Sequence, residues 1–521
     1  MSPEQRSSTA LLSALEPRLR PLLPADLYAT AWVGPTQDTL ERVFDHLRTM
    51  QSILYDYMPR QVAETLPSPG EVVHEWQSGT LMFTDMAGFT PLMEANAGFG
   101  KAGARIVLRV LNEYFSTMIE IINKSGGNLL EFTGDAMLIQ FPATPRQTDT
   151  AQAVRAGLRM QRAMTKFQRI ELPQGEFSLG TRIGIHAGRF FTADIGTPFR
   201  MEHVLLGGAV QTTKHAEGAG KVGRVNLTET AYERVKDQFR FEPGNPGYML
   251  VIDDLDGRQL GEYEFSPVGR RLYSAILMDR SVPGLLREIE ELTNVVEPLS
   301  AYLPRQVLNV LVENASRRQI PPDFPEATII FVNLVGLPES VDHVQADEEN
   351  GMANSFSRVF SLINAAVESR GGILKKVTCH LSGSDMMICF GVPASHTDDS
   401  LRAVHAALAI RDVIARFPAT TVGGRAVKVH CQIGMSRGPL FSAEIGQPRG
   451  RREFNMLGDV VNTAARLMSK AGENQILITE AVYKEISEQV ECTALGAISL
   501  KGKAQPLPLF AINGLKQEGG Q

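Results

Sequence analysis

The chain has 521 residues, with 52 basic against 58 acidic side chains and a formal charge of −6, so it offers no broad cationic footprint for nucleic acid or an anionic membrane surface. Its length calls for two or three hydrophobic cores, and its longest apolar run, around Ala327 to Leu337, is broken by Asn333 and falls short of the roughly 18 to 20 residues that span a bilayer. Cys379, Cys389, Cys431 and Cys492 have neither metal-ligand spacing nor the density of a disulfide scaffold, which fits a reducing, cytoplasmic setting, and acids and arginines break up Met1 to Pro24 as a signal peptide.

Residues 1–35, rich in Pro, Ser and Ala, read as short helical turns or a loosely attached tail. Residues 36–70 begin with an amphipathic helix: Leu40, Val43, Phe44, Leu47, Met50, Ile53, Leu54 and Tyr57 fall at three- and four-residue spacing behind a capping Thr36. That helix ends in Tyr57-Met58-Pro59-Arg60-Gln61-Val62. The first domain, residues 71–280, opens on Leu81-Met82-Phe83-Thr84-Asp85-Met86-Ala87-Gly88-Phe89-Thr90, an apolar strand that delivers the Asp85 carboxylate to its end ahead of a glycine turn. A helix beginning soon after, as Lys101 to Ile122 suggests, leaves loop N–H groups and the Thr90 hydroxyl free to receive phosphate oxygens. The next acid of interest sits in Glu131-Phe132-Thr133-Gly134-Asp135, where two apolar strands join through a Gly-Asp turn whose tip could lie beside Asp85.

The connector, residues 281–322, repeats the helical spacing through Leu285, Leu286, Ile289, Leu292, Val296 and Leu299 and ends in Tyr302-Leu303-Pro304-Arg305-Gln306-Val307. Beyond it, residues 323–515 repeat the first domain: Phe331-Val332-Asn333 answers Phe83-Thr84-Asp85, Gly371-Gly372 answers Gly126-Gly127, and Gln432 to Gly438 answers Arg182 to Gly188. Each copy reads as strand, long helix, two strands, helix, strand and a mixed tail, an α+β layering with helices over a mixed sheet. A repeat of about 200 residues is a duplicated domain rather than a solenoid.

The chemistry is divided between the copies. Asn333 replaces Asp85, and Ser384, counted back from Phe390, stands where Asp135 stood, although the adjacent Asp385 could slip into register. Conversely, Asn462 and Arg466, four apart and so on one helical face, face Gln211 and His215 in the first copy. Each copy lacks what the other keeps. Two carboxylates at neighbouring strand ends beside a phosphate-receptive loop suit a pair of Mg²⁺ ions carrying a nucleotide triphosphate.

At these residues the chain resembles the class III nucleotidyl cyclases, most closely the soluble adenylyl cyclases, over roughly residues 75 to 515. The resemblance implies two ferredoxin-like βαββαβ domains packed head to tail as an intramolecular pseudo-heterodimer, with one functional site at their interface and a degenerate one opposite. It implies an ATP-to-cyclic-AMP reaction without a protein nucleophile, two Mg²⁺ or Mn²⁺ ions on Asp85, Asp135 and the Met86 carbonyl, and Ca²⁺ as an aid to nucleotide binding. Gly88, Phe89 and Thr90 would hold phosphates, with Arg182 and, from the other copy, Lys501. Asn462 would orient the ribose and Arg466 would stabilise transition-state charge. Lys376 and Asn455 would meet the base; Asn455 stands where Asp or Thr is usual, and a guanylyl cyclase would carry Glu and Cys at these two places. An amide both donates and accepts, so it serves adenine without strictly excluding guanine. The family's bicarbonate pocket uses a Lys and an Arg, whereas this chain has Glu131 and Gln211, which supply no cation for an anion. The implied partners are ATP and no membrane or nucleic acid, in a monomeric chain that is either a compact relative or an excised catalytic core. A catalytically silent nucleotide sensor, or a cyclase of relaxed or guanine specificity, is the alternative.

Overall fold

The computed structural model describes residues 3–65, 67–146, 148–261, 263, 277–380, 382–448, 450–500 and 505–516. In the first copy the strands lie in the order Asn128–Thr133, Ala136–Pro142, Val73–Ala87, Gly180–Thr197, Val225–Thr228, Tyr248–Ile252 and Arg240–Pro243. Gly180–Thr197 runs antiparallel to Val73–Ala87 but parallel to Val225–Thr228, so the sheet is mixed. The second copy repeats that order with Ile373–His380, Gly383–Phe390, Glu326–Val335, His430–Pro439, Gln475–Thr479, Leu507–Leu515 and Val490–Ile498.

The two copies differ at one strand for a local reason. Gly180–Thr197 is continuous and its far half pairs with Arg200–Leu206, whereas the matching stretch is cut into His430–Pro439 and Phe441–Gly446. Pro439 has no N–H to give a ladder, and Phe441–Gly446 instead forms a separate two-stranded arm with Arg452–Leu457. Helix Gly100–Lys124 lays Val107, Leu111, Tyr114, Phe115, Met118 and Ile122 on one face of the first sheet, and Glu349–Glu368 does the same for the second with Phe356, Val359, Phe360 and Ile363. The other face of the first sheet meets the second copy: Leu81, Phe83, Leu130, Leu138 and Phe190 share a buried cluster with Cys379.

Residues 3–35 are not a loose tail. Helices Pro3–Leu19 and Ala25–Val33 bury Leu15, Leu19, Leu22, Leu23, Leu27 and Ala31 in one cluster with Gln37–Tyr57 and the connector helix Val282–Ser300. Scattered leucines in a Pro-Ser-Ala background carried too little periodicity to reveal this. The helices also cross over. Tyr57, leading into the first copy, donates to Glu444 of the second at 2.7 Å, while Tyr302, leading into the second copy, donates to Asp194 of the first at 2.9 Å. Arg452 joins this contact by pairing with Asp56 at 2.9 Å and Glu444 at 2.7 Å, all three side chains at most 5% exposed. No described helix is long and apolar enough to cross a membrane.

Candidate functional site

Asp85 lies two residues before the end of its strand, opposite Arg182, its register partner on Gly180–Thr197. The Arg182 Nη2 lies 2.5 Å from Asp85 Oδ2 and its Nε lies 2.8 Å from Glu217 Oε1, so one guanidinium bridges two carboxylates. Gly88 then turns the chain at φ +90°; a Cβ there would lie 2.2 Å from the Ser178 carbonyl oxygen, which excludes other residues. Helix Phe89–Ala97 follows, with Phe89 buried as an anchor and Thr90 exposed at its first turn. Asp135 occupies the tip of the Asn128–Pro142 hairpin, half-buried, and its carboxyl is pushed up to about 7, first by burial and then by the negative charge of Asp85. Strand register brings the two acids close, since Thr84 pairs with Met137, one residue from Asp85 and two from Asp135.

The second copy carries neutral side chains at the matching places. Asn333 donates to Gln432 Oε1 at 2.9 Å where Asp85 faces Arg182, and Met468 stands in for Glu217, since Gly434 presses on Met468 as Gly184 presses on Glu217. Strand register also decides the alignment at the hairpin: Phe83 pairs with Leu138 and Phe331 with Met387, so Asp385 matches Ala136 and Ser384 matches Asp135, with no slip. The matching network of the second copy is uncharged.

The second copy meets the acid-bearing hairpin directly. Asn455 Nδ2 donates to the Gly134 carbonyl at 2.7 Å, one residue from Asp135, and Leu457 lies against Gly134. Two residues past Asn455 the strand ends, and Gly458 leads into helix Asp459–Met468 beside Met93 of the Phe89–Ala97 helix. That helix buries Val460, Val461, Ala464 and Leu467, which leaves Asn462 exposed and Arg466 half-buried, neither with a side-chain partner among the described residues. Lys376 donates to the Phe132 carbonyl and stands 3.3 Å from both Glu453 carboxylate oxygens. Burial opposes the Glu453 charge, but Lys375, Lys376 and Arg451 hold its carboxyl down to about 2. Lys501 lies outside the described residues.

On the opposite side other contacts tie the two copies together. Lys214, where the second copy has Ala465, donates to the Cys379 carbonyl and lies 5.3 Å from the Phe83 ring centre, while Asp342 accepts from the Gly208 N–H at 2.6 Å. Glu131 is buried, receives a 2.9 Å hydrogen bond from Thr133 and lies 4.0 Å from Lys376; Gln211 is half-buried. Sequence reasoning missed Glu217, Lys375 and the Arg452 cluster. Only the twinned Tyr-x-Pro-Arg-Gln-Val ends hinted at the last.

Two mixed α+β halves meeting head to tail, acids on one and an amide and guanidinium on the other, define a tandem protein of the class III nucleotidyl cyclase type. The match to known families says the same: the adenylate and guanylate cyclase catalytic domain family covers residues 72–254 and 321–514, and the chain belongs to it. Adenylate cyclase type 10 of Mus musculus is 23% identical over 474 residues, 84% of this chain but 26% of the mouse protein, so the chain spans about a quarter of that relative. The receptor-type guanylate cyclase gcy-13 of Caenorhabditis elegans is 28% identical over 217 residues, 41% of this chain and 20% of its own. A class III adenylyl cyclase-like ATP-binding protein from Pseudomonas aeruginosa shares the fold, with a TM-score of 0.53 at 13% identity over 85% of this chain and 93% of that one.

Proposed function

We propose that the chain is an adenylate cyclase that converts ATP to 3′,5′-cyclic AMP and pyrophosphate at one site between its halves. The observation that carries this reading is the Asn455 to Gly134 hydrogen bond, which sets the base-facing strand of one copy against the acid-bearing tip of the other. The donor set fits divalent ions: two neighbouring carboxylates, one of them pushed up first by burial and then by the charge of the other, gain most from a hard cation. Asp85, Asp135 and the Met86 carbonyl would hold Mg²⁺ or Mn²⁺, which when bound supplies Lewis-acid polarisation and a lowered pKa for the ribose 3′-hydroxyl.

The remaining roles belong to the chain itself. Gly88, Phe89 and Thr90 offer backbone N–H groups and a hydroxyl to the phosphates at a helix start. Arg182, once Asp85 turns to a cation, keeps Glu217 on its Nε and offers Nη2 to a phosphate oxygen, with Lys501 reaching the same group. Asn462 orients the ribose, and Arg466 stabilises charge that builds on the α-phosphate. Lys376 and Asn455 address the base. Bicarbonate finds no cationic pair at Glu131 and Gln211, so adding it at fixed pH leaves turnover unchanged; a several-fold rise would contradict this.

Incubating the purified chain with ATP or GTP and Mn²⁺ and identifying the product by mass spectrometry tests the reading. Cyclic AMP is the expected product. Binding of ATP without any cyclic product would instead support a silent nucleotide sensor, and cyclic GMP in comparable yield a cyclase of relaxed specificity.

A further inference from the structure

Lys375 belongs to neither the metal-binding nor the phosphate-binding set, yet it is buried in the middle of the base-facing network. It sits on a bulge, where the register of Ile373–His380 against its neighbour shifts between Leu374 and Lys376. The first copy has the same bulge between Leu129 and Glu131, with Leu130 at the matching position. A leucine therefore satisfies the backbone at this point, and the ammonium of Lys375 answers some other need.

That ammonium, on a side chain 5% exposed, donates to Glu453 at 2.8 Å and to Asn455 Oδ1. The Met456 N–H donates to the same oxygen at 2.9 Å. A carbonyl oxygen has two lone pairs, and both are taken. Asn455 Nδ2 gives one hydrogen to Gly134 and keeps one. Flipping the amide would set its NH₂ against an ammonium and its oxygen against the Gly134 carbonyl. Lys375 thus fixes which end of the buried Asn455 amide keeps a spare hydrogen-bonding group, and that group is a donor.

At the six-position of a purine, adenine carries an amino donor and guanine a carbonyl acceptor. We infer that Lys375 is a specificity-determining positioning residue: by occupying the Asn455 oxygen it withholds an acceptor from the adenine amino group and makes the base pocket tolerant of guanine nucleotides. This rests on the cyclase reading of the site with ATP as the preferred substrate, and it adds that the margin over GTP is narrowed from behind the base-contacting residue.

The test is equilibrium binding of 3′-deoxy ATP and 3′-deoxy GTP, neither of which can cyclise, in Mn²⁺. It compares the parent with Lys375→Met, which keeps the stem, Lys375→Leu, the residue of the first copy, and Lys375→Arg, which keeps a donor. The Met and Leu variants should raise the ratio of adenine to guanine affinity three- to tenfold, the range of one hydrogen bond. The Arg variant should keep the parent ratio, and in an Asn455→Ala background Lys375→Met should no longer move it. Equal loss of both affinities, which a purely structural role would give, or a fall in the ratio overturns the inference. A parent that binds both analogues but makes no cyclic product refutes the cyclase reading and leaves this one standing; a parent that binds neither ends both.

Discussion

Replacing Asp85 by Asn tests the metal half of the site with little risk to the fold, because the second copy already carries Asn333 at the equivalent place, where its amide donates to Gln432 and to the Ser382 carbonyl. The Asp85 and Arg182 side chains are 27% and 32% exposed, so losing their ion pair costs about 1 kcal/mol or less, a shift of about 2 to 4 °C in melting temperature for a unit of this size. Arg182 keeps Glu217, which limits the damage further. The effect on turnover is of a different order. Lewis-acid stabilisation contributes several kcal/mol, so loss of a metal-holding carboxylate should lower the rate by about 10³ or more. The assay is cyclic-product formation at saturating Mn²⁺ alongside thermal melting of the same preparations. The triple variant Asp85→Asn, Arg182→Gln and Glu217→Met recreates the neutral network of the second copy and should melt like the parent while remaining inactive. Turnover of either variant within tenfold of the parent would refute the assignment.

Arg466→Ala should lower kcat by about 10² to 10³ with little change in nucleotide affinity, as removal of an oxyanion donor does; equal rates would remove the role. Arg452→Ala strands the buried carboxylates of Asp56 and Glu444, a cost of about 3 to 5 kcal/mol that should appear as a drop of about 6 to 20 °C in melting temperature. Asp385 is pushed up to about 7 by burial, against the nearby Lys214 charge, so its folded pKa lies above the unfolded value and its stabilising contribution, complete below pH of about 4, is lost as pH rises to about 7. Asp385→Asn should therefore match the parent near pH 4 and gain up to about 2 kcal/mol of stability by pH 8, half the full linkage because the residue is half-buried. A gain that shrinks with rising pH would show the sign to be wrong.

The duplication was legible because the glycine turns and strand ends recur with fixed spacing, and the loss of acids was legible at Asn333 because nothing else competes for that register. At Asp385 the sequence allowed two alignments, and only pairing of Phe331 with Met387 separates them. Helices 3–33 stayed hidden for a different reason: their burial comes from meeting the connector helix some 250 residues later, which no local period reports. Glu217 and Lys375 were missed because each acts through another residue. A lone acid in Ala216-Glu217-Gly218 reads as helix surface until Gly184 brings strand and helix into contact and aims it at Arg182. Conversely, the exchange of Asn462 and Arg466 for Gln211 and His215 was visible in sequence, since the pattern resides in residue identity and not in packing.

The most direct measurement is the stoichiometry of nucleotide binding, by calorimetric titration of the whole chain with 3′-deoxy ATP in Mn²⁺. A site shared by both halves predicts one nucleotide per chain, with binding weakened by Asp85→Asn in the first copy and by Asn455→Ala in the second. Two nucleotides per chain, or binding that ignores one of the halves, would contradict it.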